Sequence, residues 1–254
     1  MNPALEPKLV LFGLVLSRVS GMIVGAPLLW NHAPVRSRAI LVLLLSAFAM
    51  PLIATGPLTI EQGLRSAPQE VLLGLAMGLV VRFGLAVAHM LGDLFGPMFG
   101  LSAAMLIGSH DDPMESAIGR IMSLLLGFVA VTVGLHRVVL SGLLASFAVV
   151  VPGSTIHAEA GALVLAGVSQ SMIALGLSVA MPVLAAHMLL QTTLAFVSRS
   201  APQMQIFSVG FAAALVVGLV TFNVALPDMV DEITRSLGAL GADIERILFA
   251  VSGR

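Results

Sequence analysis

Six long apolar runs, separated by short polar segments, constrain the fold of this chain more than any other feature. They are Leu9–Leu29, Ala39–Ala54, Val71–Leu91, Ile118–Val151, Ala162–Leu190 and Ile206–Leu226. A helix needs about 20 apolar residues to cross a bilayer, and most of the runs reach that length, although the second is short. The fourth is too long for one span, so we expect it to break near Gly134 into two helices. Because the runs lack the alternation of a membrane β-barrel, we predict an all-α membrane protein of about six or seven helices.

Composition excludes several classes of protein. Charged residues make up 10% of the chain, against about 25% in soluble domains, and the mean hydropathy is +1.06. The net charge of −1 gives no reason to expect a nucleic-acid partner. Cysteine is absent, which excludes disulfides and thiolate chemistry. Tyrosine is also absent and Trp30 is the one tryptophan, so the usual aromatic belt is nearly missing and the relation to lipid is unusual.

The polar connections suggest one domain, residues 1–254, with a distinct C-terminal segment. The connections include a basic turn, an acidic turn and a polar break, respectively Asn31–Arg38, Gly108–Glu115 and Ser198–Gln205. Pro68 is expected to open a helix, because the first helical position does not need its N–H. Beyond Pro227 the charges are mixed, which favours an amphipathic surface helix at about 228–250. Loop charges give no clear orientation.

Two arginines, Arg18 and Arg82, lie inside apolar runs, and Glu70 precedes the second of them. A charge in the middle of a bilayer is costly and normally faces a bundle interior, a partner or water. One interpretation is an ion or substrate path. We favour the other, in which the arginines contact backbone carbonyls or acidic groups of neighbouring subunits. Gly74 and Gly78 form a GxxxG pattern, which lets helices approach closely.

No motif for catalysis, cofactor binding or metal binding is present, so we expect no enzymatic activity and no cofactor. The histidines lack metal-ligand spacing; they are His32, His89, His110, His136, His157 and His187. A stand-alone secondary transporter would explain the intramembrane arginines and the glycine-broken helices, but no internal repeat is visible. An intramembrane enzyme would need paired catalytic groups that are missing.

Several motifs occur together in an order that resembles the FliR/SctT family, the export-gate subunit of flagellar and type III secretion systems. They are APLLWNHAPVRSR at Ala26–Arg38, EVLLGLAMGLVVR at Glu70–Arg82, MFGLSAA at Met98–Ala104, DDP at Asp111–Pro113 and RSAPQMQIFSVGF at Arg199–Phe211. The last is the most specific, although Gln205 stands where the family usually has asparagine. The resemblance covers nearly the whole chain.

The resemblance implies a non-enzymatic subunit of a closed protein-export channel in the bacterial inner membrane. It implies FliP-like and FliQ-like gate subunits, a FlhB-like switch subunit and unfolded export substrates as partners, with one copy of this chain per gate. Its helices would form broken, tilted hairpins within a helical assembly, largely raised out of the bilayer plane. A flagellar basal body is the favoured setting, and a virulence injectisome is the alternative.

The resemblance also implies site residues. The pore plug, or gate loop, is assigned to Ala103, Ala104, Met105, Leu106, Ile107 and Gly108. A flexible apolar stretch of this kind can close a narrow path by dewetting. Helix packing and subunit assembly are assigned to Glu70, Gly74, Gly78, Arg82, Arg199, Pro202, Gln203 and Met204.

Overall fold

Seven α-helices account for almost all of the described chain in a computed structural model. The structure describes residues 6–26, 34–53, 58–98, 117–200 and 206–253, with backbone alone at 88–89, 92–93, 96–98, 117–123 and 206–209. The helices are α1 (Glu6–Gly25), α2 (Val35–Ala49), α3 (Ile60–Met98), α4 (Ala117–Val133), α5 (Leu135–Val149), α6 (Ala158–Ser200) and α7 (Ile206–Ser252). A 3₁₀ turn, Met50–Leu52, continues α2. No strand occurs in these ranges, so the predicted all-α fold is confirmed.

Five of the described helices are long and apolar enough to cross a membrane: α1, α2 with its 3₁₀ turn, α3, α6 and α7. A sixth span results if α4 and α5 are counted together as one broken span. The break between them falls at Gly134, as predicted. Its φ of 77° lies in the left-handed region, which glycine adopts without the steric cost that other residues incur.

Helix α3 begins earlier than the apolar run predicted. Thr59 and Gln62 form a reciprocal capping box at its start, with Thr59 N donating to Gln62 Oε1 at 3.2 Å and Gln62 N donating to Thr59 Oγ1 at 3.4 Å. These bonds satisfy backbone N–H groups that have no partner inside the helix. The prediction that Pro68 opens the helix is therefore wrong, and Pro68 is an exposed residue inside α3.

Helix α7 is likewise longer than its apolar run and passes through Pro227 without ending. The segment 228–250 is therefore the C-terminal half of α7 and not a separate helix. Leu240, Ile244 and Ile247 are fully buried in this half, while Glu245 and Arg246 are exposed. One face of the segment thus packs against protein.

The chain divides into two compact units. Unit 1 consists of Met1–Gly84, Gly134–Ser171 and Gly238–Arg254, and unit 2 of Leu85–Val133 and Met172–Leu237. The buried side chains of unit 1 include Leu14, Val15, Leu73, Met77, Val80, Leu135 and Leu248, and those of unit 2 include Leu91, Phe95, Val183, Met229 and Ile233. In unit 2, the rings of Phe95 and Phe222 pack edge to face, 6.0 Å apart. The single domain remains a prediction.

Candidate functional site

The most distinctive polar group of the described chain is Arg18, which is completely buried inside unit 1. Its Nε atom donates a hydrogen bond to Glu70 Oε2 at 2.6 Å. Its Nη1 atom donates to the carbonyl of Ser146 at 2.9 Å and to the Ser146 hydroxyl at 3.2 Å. Its Nη2 atom donates to the carbonyl of Val150 at 2.9 Å. The guanidinium also lies over the ring of Phe147, 4.6 Å from its centroid, where a cation is attracted by the π face.

Glu70 completes the network from α3, with its side chain only 3% exposed. Its second oxygen, Oε1, accepts a hydrogen bond from the backbone N–H of Gly153 at 3.0 Å. Each carboxylate oxygen therefore has its own donor. We name the set Arg18, Glu70, Ser146, Val150 and Gly153 the Arg18–Glu70 network.

Local structure explains why these groups meet. Ser146 lies in the last turn of α5, where its carbonyl accepts from the backbone N–H of Val150 as well as from Arg18, and where the negative end of the helix dipole favours a cation. Gly153, just beyond that end, has φ +88°, so a left-handed turn directs its N–H towards Glu70. The network thus joins α1 and α3 to the turn that leads from α5 to α6.

The burial of this pair determines what the site can do. A buried charge is tolerated where its partner and its remaining hydrogen bonds are all supplied, and Arg18 has both. A guanidinium that is closed off from solvent and hydrogen-bonded at each of its three nitrogen atoms does not form an ion or substrate path. The prediction that Arg18 contacts backbone carbonyls is confirmed, but the acidic group lies in the same chain and not in a neighbouring subunit.

Below the network, α1 and α3 cross at four glycines. A Cβ added to Gly74 would overlap the carbonyl oxygen of Arg18, and one added to Gly21 would overlap that of Val71. A Cβ on Gly78 would lie 2.6 Å from the carbonyl oxygen of Met22, and one on Gly25 would lie 3.0 Å from the Cα of Gly78. Two GxxxG patterns therefore face each other, and their backbones touch.

The other predicted assembly residues lie elsewhere. Arg82 is exposed, unlike Glu70, Gly74 and Gly78. Moving four residues along a helix turns the side-chain direction by about 40° beyond one full turn. Arg82 lies three such steps after Glu70, so the two side chains point roughly 120° apart around the helix axis. Arg199 is also exposed, near the end of α6. A role of these residues in subunit assembly stays a prediction.

Two groups of predicted site residues fall outside the described ranges. They are the plug residues Ala103, Ala104, Met105, Leu106, Ile107 and Gly108, and the motif residues Pro202, Gln203 and Met204. Over the residues that are described, no group of three or more His, Asp or Glu side chains is arranged to hold a metal ion.

The sequence analysis did not identify four residues of this site, namely Gly21, Gly25, Ser146 and Gly153. Gly21 and Gly25 carry the same spacing as Gly74 and Gly78, so the second half of the crossing was visible in the sequence. Ser146 and Gly153 gave no signal of their own, because one is an ordinary serine of an apolar helix and the other a turn glycine.

A family model described as bacterial export proteins, family 1, matches residues 9–240. The chain belongs to this family. Among curated relatives, the flagellar biosynthetic protein FliR of Escherichia coli is 28% identical over 218 residues, which cover 84% of this chain and 82% of the relative. The FliR protein of Pectobacterium carotovorum is 27% identical over 215 residues, covering 83% and 82%. That of Bacillus subtilis is 24% identical over 248 residues, covering 95% of each chain.

The family match places the Arg18–Glu70 network and the glycine crossing inside the export-family region, since residues 9–240 contain both. The apolar spans agree with a membrane-embedded member of this family. Membership of an export family implies that the chain acts in a multi-subunit export complex.

Proposed function

We propose that this chain is the FliR-type subunit of the flagellar type III protein export gate. With FliP-like and FliQ-like subunits it would form the closed channel through which unfolded flagellar proteins leave the cell. Relatives named flagellar biosynthetic protein FliR match most of the chain, which supports the flagellar system over a virulence injectisome.

The structural observation that carries the multi-subunit part of the proposal is the length of exposed apolar surface on α6. Exposed side chains run from Leu163 (76% exposed) to Phe196 (70% exposed), a distance of about 50 Å along the helix axis. A bilayer core is about 30 Å thick. Even at a tilt of about 40°, the upper end of the usual range, this surface would span roughly 38 Å. This is longer than the hydrocarbon core, which supports a proposal in which partner proteins cover part of α6.

The remaining parts of the proposal rest on the resemblance and the family. The gate would lie in the inner membrane within the flagellar basal body, with one copy of this chain and a FlhB-like switch subunit beside it. The chain would act by packing and by lining the path, without a catalytic step of its own. Exposed Arg82 and Arg199 would face neighbouring subunits, where a charge finds a partner more readily than in lipid.

Co-purification in mild detergent tests the proposal. The affinity-tagged chain is expressed alone and together with FliP-like and FliQ-like subunits, and the purified species are weighed by native mass spectrometry. We expect one large complex that contains a single copy of this chain. A chain that stays monomeric beside its partners would contradict the proposal, and substrate uptake by the isolated chain in liposomes would favour a transporter instead.

The plug assignment has its own test. Deletion of Ala103–Gly108 is expected to make assembled gates leak ions, measured as flux across liposomes that contain the complex. The assembled complex with an intact loop serves as the control. Assembled plug-deleted gates that leak no more than the control would contradict the assignment.

A further inference from the structure

A groove inside unit 2 lies between α6 and α7, apart from the Arg18–Glu70 network and the glycine crossing. Ser178, Val179 and Pro182 of α6 line one side of it, and one face of α7 between Val220 and Glu232 lines the other. Its volume is about 450 Å³, which is in the range of pockets that hold ligands. We call it the α6–α7 groove.

The polar groups that line the α6–α7 groove are acceptors, as far as the described residues form its walls. The hydroxyls of Ser178 and Thr221 donate to backbone carbonyls of the preceding helical turn, at 2.8 and 2.7 Å, so their oxygen atoms have only lone pairs left to offer. Pro182 has no N–H, so the carbonyl of Ser178 lacks its usual α-helical partner. Asp228 and Glu232 only accept when they are ionised. An occupant of this groove therefore has to donate hydrogen bonds.

Two carboxylates make the occupant a cation as well as a donor. Asp228 is exposed and forms no hydrogen bond or ion pair with another described residue. Glu232 pairs with Arg235, whose side chain is 71% exposed and does not line the groove. Both acids lie in a helix that is long and apolar enough to cross a membrane, where ionisable residues normally have a partner or line a path.

The surface beside the groove indicates that the cation belongs to a protein. Val216, Val220 and Val224 are 61%, 57% and 73% exposed and follow one another at four-residue steps, so they form a stripe along α7 that ends at Asp228. From its first valine to Asp228 the stripe is about 18 Å long. A free cation would cover only the acidic end, whereas a helix lying along α7 covers the valines and also brings a side chain to Asp228.

Neighbouring parts of this chain do not supply the cation. α6 continues for 18 residues beyond Pro182, about 27 Å, whereas the five residues 201–205 that join α6 to α7 span at most roughly 18 Å. Phe222, whose ring packs on a phenylalanine of α3, points about 120° away from Asp228 around the axis of α7. Residues 99–116 contain no lysine or arginine.

We propose that the α6–α7 groove binds a lysine or arginine side chain from a helix of another subunit. The stem of that side chain lies on Val179, Ala225 and Met229, as long basic side chains commonly do on apolar surfaces, and its charged end donates to Asp228 and Glu232. The inference rests on the proposed function, because it requires a partner subunit.

Photo-crosslinking identifies what occupies the groove. Val224, which is 73% exposed, is replaced by p-benzoylphenylalanine in gate complexes assembled with FliP-like and FliQ-like subunits, and crosslinked peptides are sequenced by mass spectrometry. We expect a peptide of another subunit that has a lysine or arginine within about one helical turn of the crosslinked residue. Crosslinks only to lipid, to another part of this chain or to a partner segment without a basic residue would overturn the inference.

Removal of one charge tests the contact itself. Asp228→Asn should make the labelled chain leave the complex about ten- to a hundred-fold faster, as expected for the loss of one hydrogen bond to a charged group. Asp231→Asn makes the same change at an exposed position that does not line the groove, and its rate should stay within about two-fold of the wild type. Asp228→Glu keeps the charge and should restore most of the lifetime.

Two comparisons separate assembly from folding. Because Asp228 has no partner among the described residues, Asp228→Asn should leave the unfolding of the isolated chain unchanged, and a loss of stability as large as the change in lifetime would overturn the inference. If complexes form and Asp228→Asn leaves them no faster than Asp231→Asn, the inference is wrong and the proposed function stands. If the wild-type chain forms no complex, the proposed function is wrong and the inference falls with it.

Discussion

Replacing Glu70 by glutamine should destabilise the protein far more than so small a change suggests. The two oxygens of Glu70 accept from two donors, Arg18 Nε and Gly153 N. Glutamine has the same shape as glutamate but only one oxygen. That oxygen can accept from one of the two N–H donors, and the NH₂ group would then face the other donor. Either the buried Arg18 loses its counter-charge and acceptor, or the N–H of Gly153 meets another donor.

The size of the effect follows from burial. Both side chains are almost completely shielded, at 0% and 3% exposure, so water does not replace the lost interaction. Breaking one side of a buried pair typically costs about 3–5 kcal/mol. That is a large part of the roughly 5–15 kcal/mol that stabilises most folded proteins, and it corresponds to two to four orders of magnitude in the unfolding equilibrium.

The measurement is unfolding of the detergent-solubilised chain, followed by loss of helical circular dichroism as denaturing detergent is added. Glu61→Gln provides a matched control, because it makes the same chemical change on the same helix in an exposed pair with Arg65. Exposed pairs contribute about 0–1 kcal/mol, so this variant should resemble the wild type.

The double variant Arg18→Met with Glu70→Gln measures the interaction between the two side chains. Removing both charges leaves no lone buried cation, so the double variant should lose about 1–3 kcal/mol less than the sum of the single variants. If Glu70→Gln unfolds within about 0.5 kcal/mol of Glu61→Gln, or if the two single effects simply add, the proposed role of the buried pair is wrong.

Three further predictions concern backbone features, each measured by the same unfolding assay unless stated. Gly74→Ala should destabilise by about 1–3 kcal/mol, because its methyl group would overlap the carbonyl of Arg18; Gly13→Ala on α1, with nothing within 4 Å, should be neutral or stabilising, and equal effects would contradict the close crossing. Gly153→Ala should cost about 1–2 kcal/mol, because φ is +88°; a loss no larger than that of Gly13→Ala would count against the left-handed turn. Thr59→Ala should cost about 1 kcal/mol by removing the capping box and should speed hydrogen exchange in the first turn of α3; unchanged exchange there would show that the cap is not needed.

The helices were predictable from the sequence, but their ends were not. The break between α4 and α5 was predictable, because the apolar run is too long for one span and contains Gly134. Glycine adopts the left-handed conformation that ends a helix. The same method placed the start of α3 and the end of α7 too close to their apolar runs. Hydrophobic periodicity reports the faces that are buried in protein or lipid, whereas capping groups such as Thr59 and Gln62 decide where the hydrogen-bonded helix begins.

The candidate site was predictable only in part. Arg18 stands out in an apolar run, and its cost in a membrane demands a partner. The identity of that partner depends on the fold, because Glu70 and Ser146 lie 52 and 128 residues away. A short sequence motif cannot indicate a contact between residues so far apart in the sequence. Gly74 and Gly78 predicted a close contact, but only their match with Gly21 and Gly25 identifies α1 as the helix they meet.

The two halves of the site have complementary physical roles. Glycines at the α1–α3 crossing bring the backbones together, but they supply no side chains that interlock and so resist sliding poorly. Hydrogen bonds from Arg18 to Glu70, Ser146 and Val150 require one alignment of α1, α3 and the end of α5, because a shift of one residue would leave a buried charge unpaired. An apolar pair could stabilise the same contact equally well, but it would tolerate more alignments. We infer that the ion pair sets the register of these helices, and that the glycines allow them to come close enough for it to form.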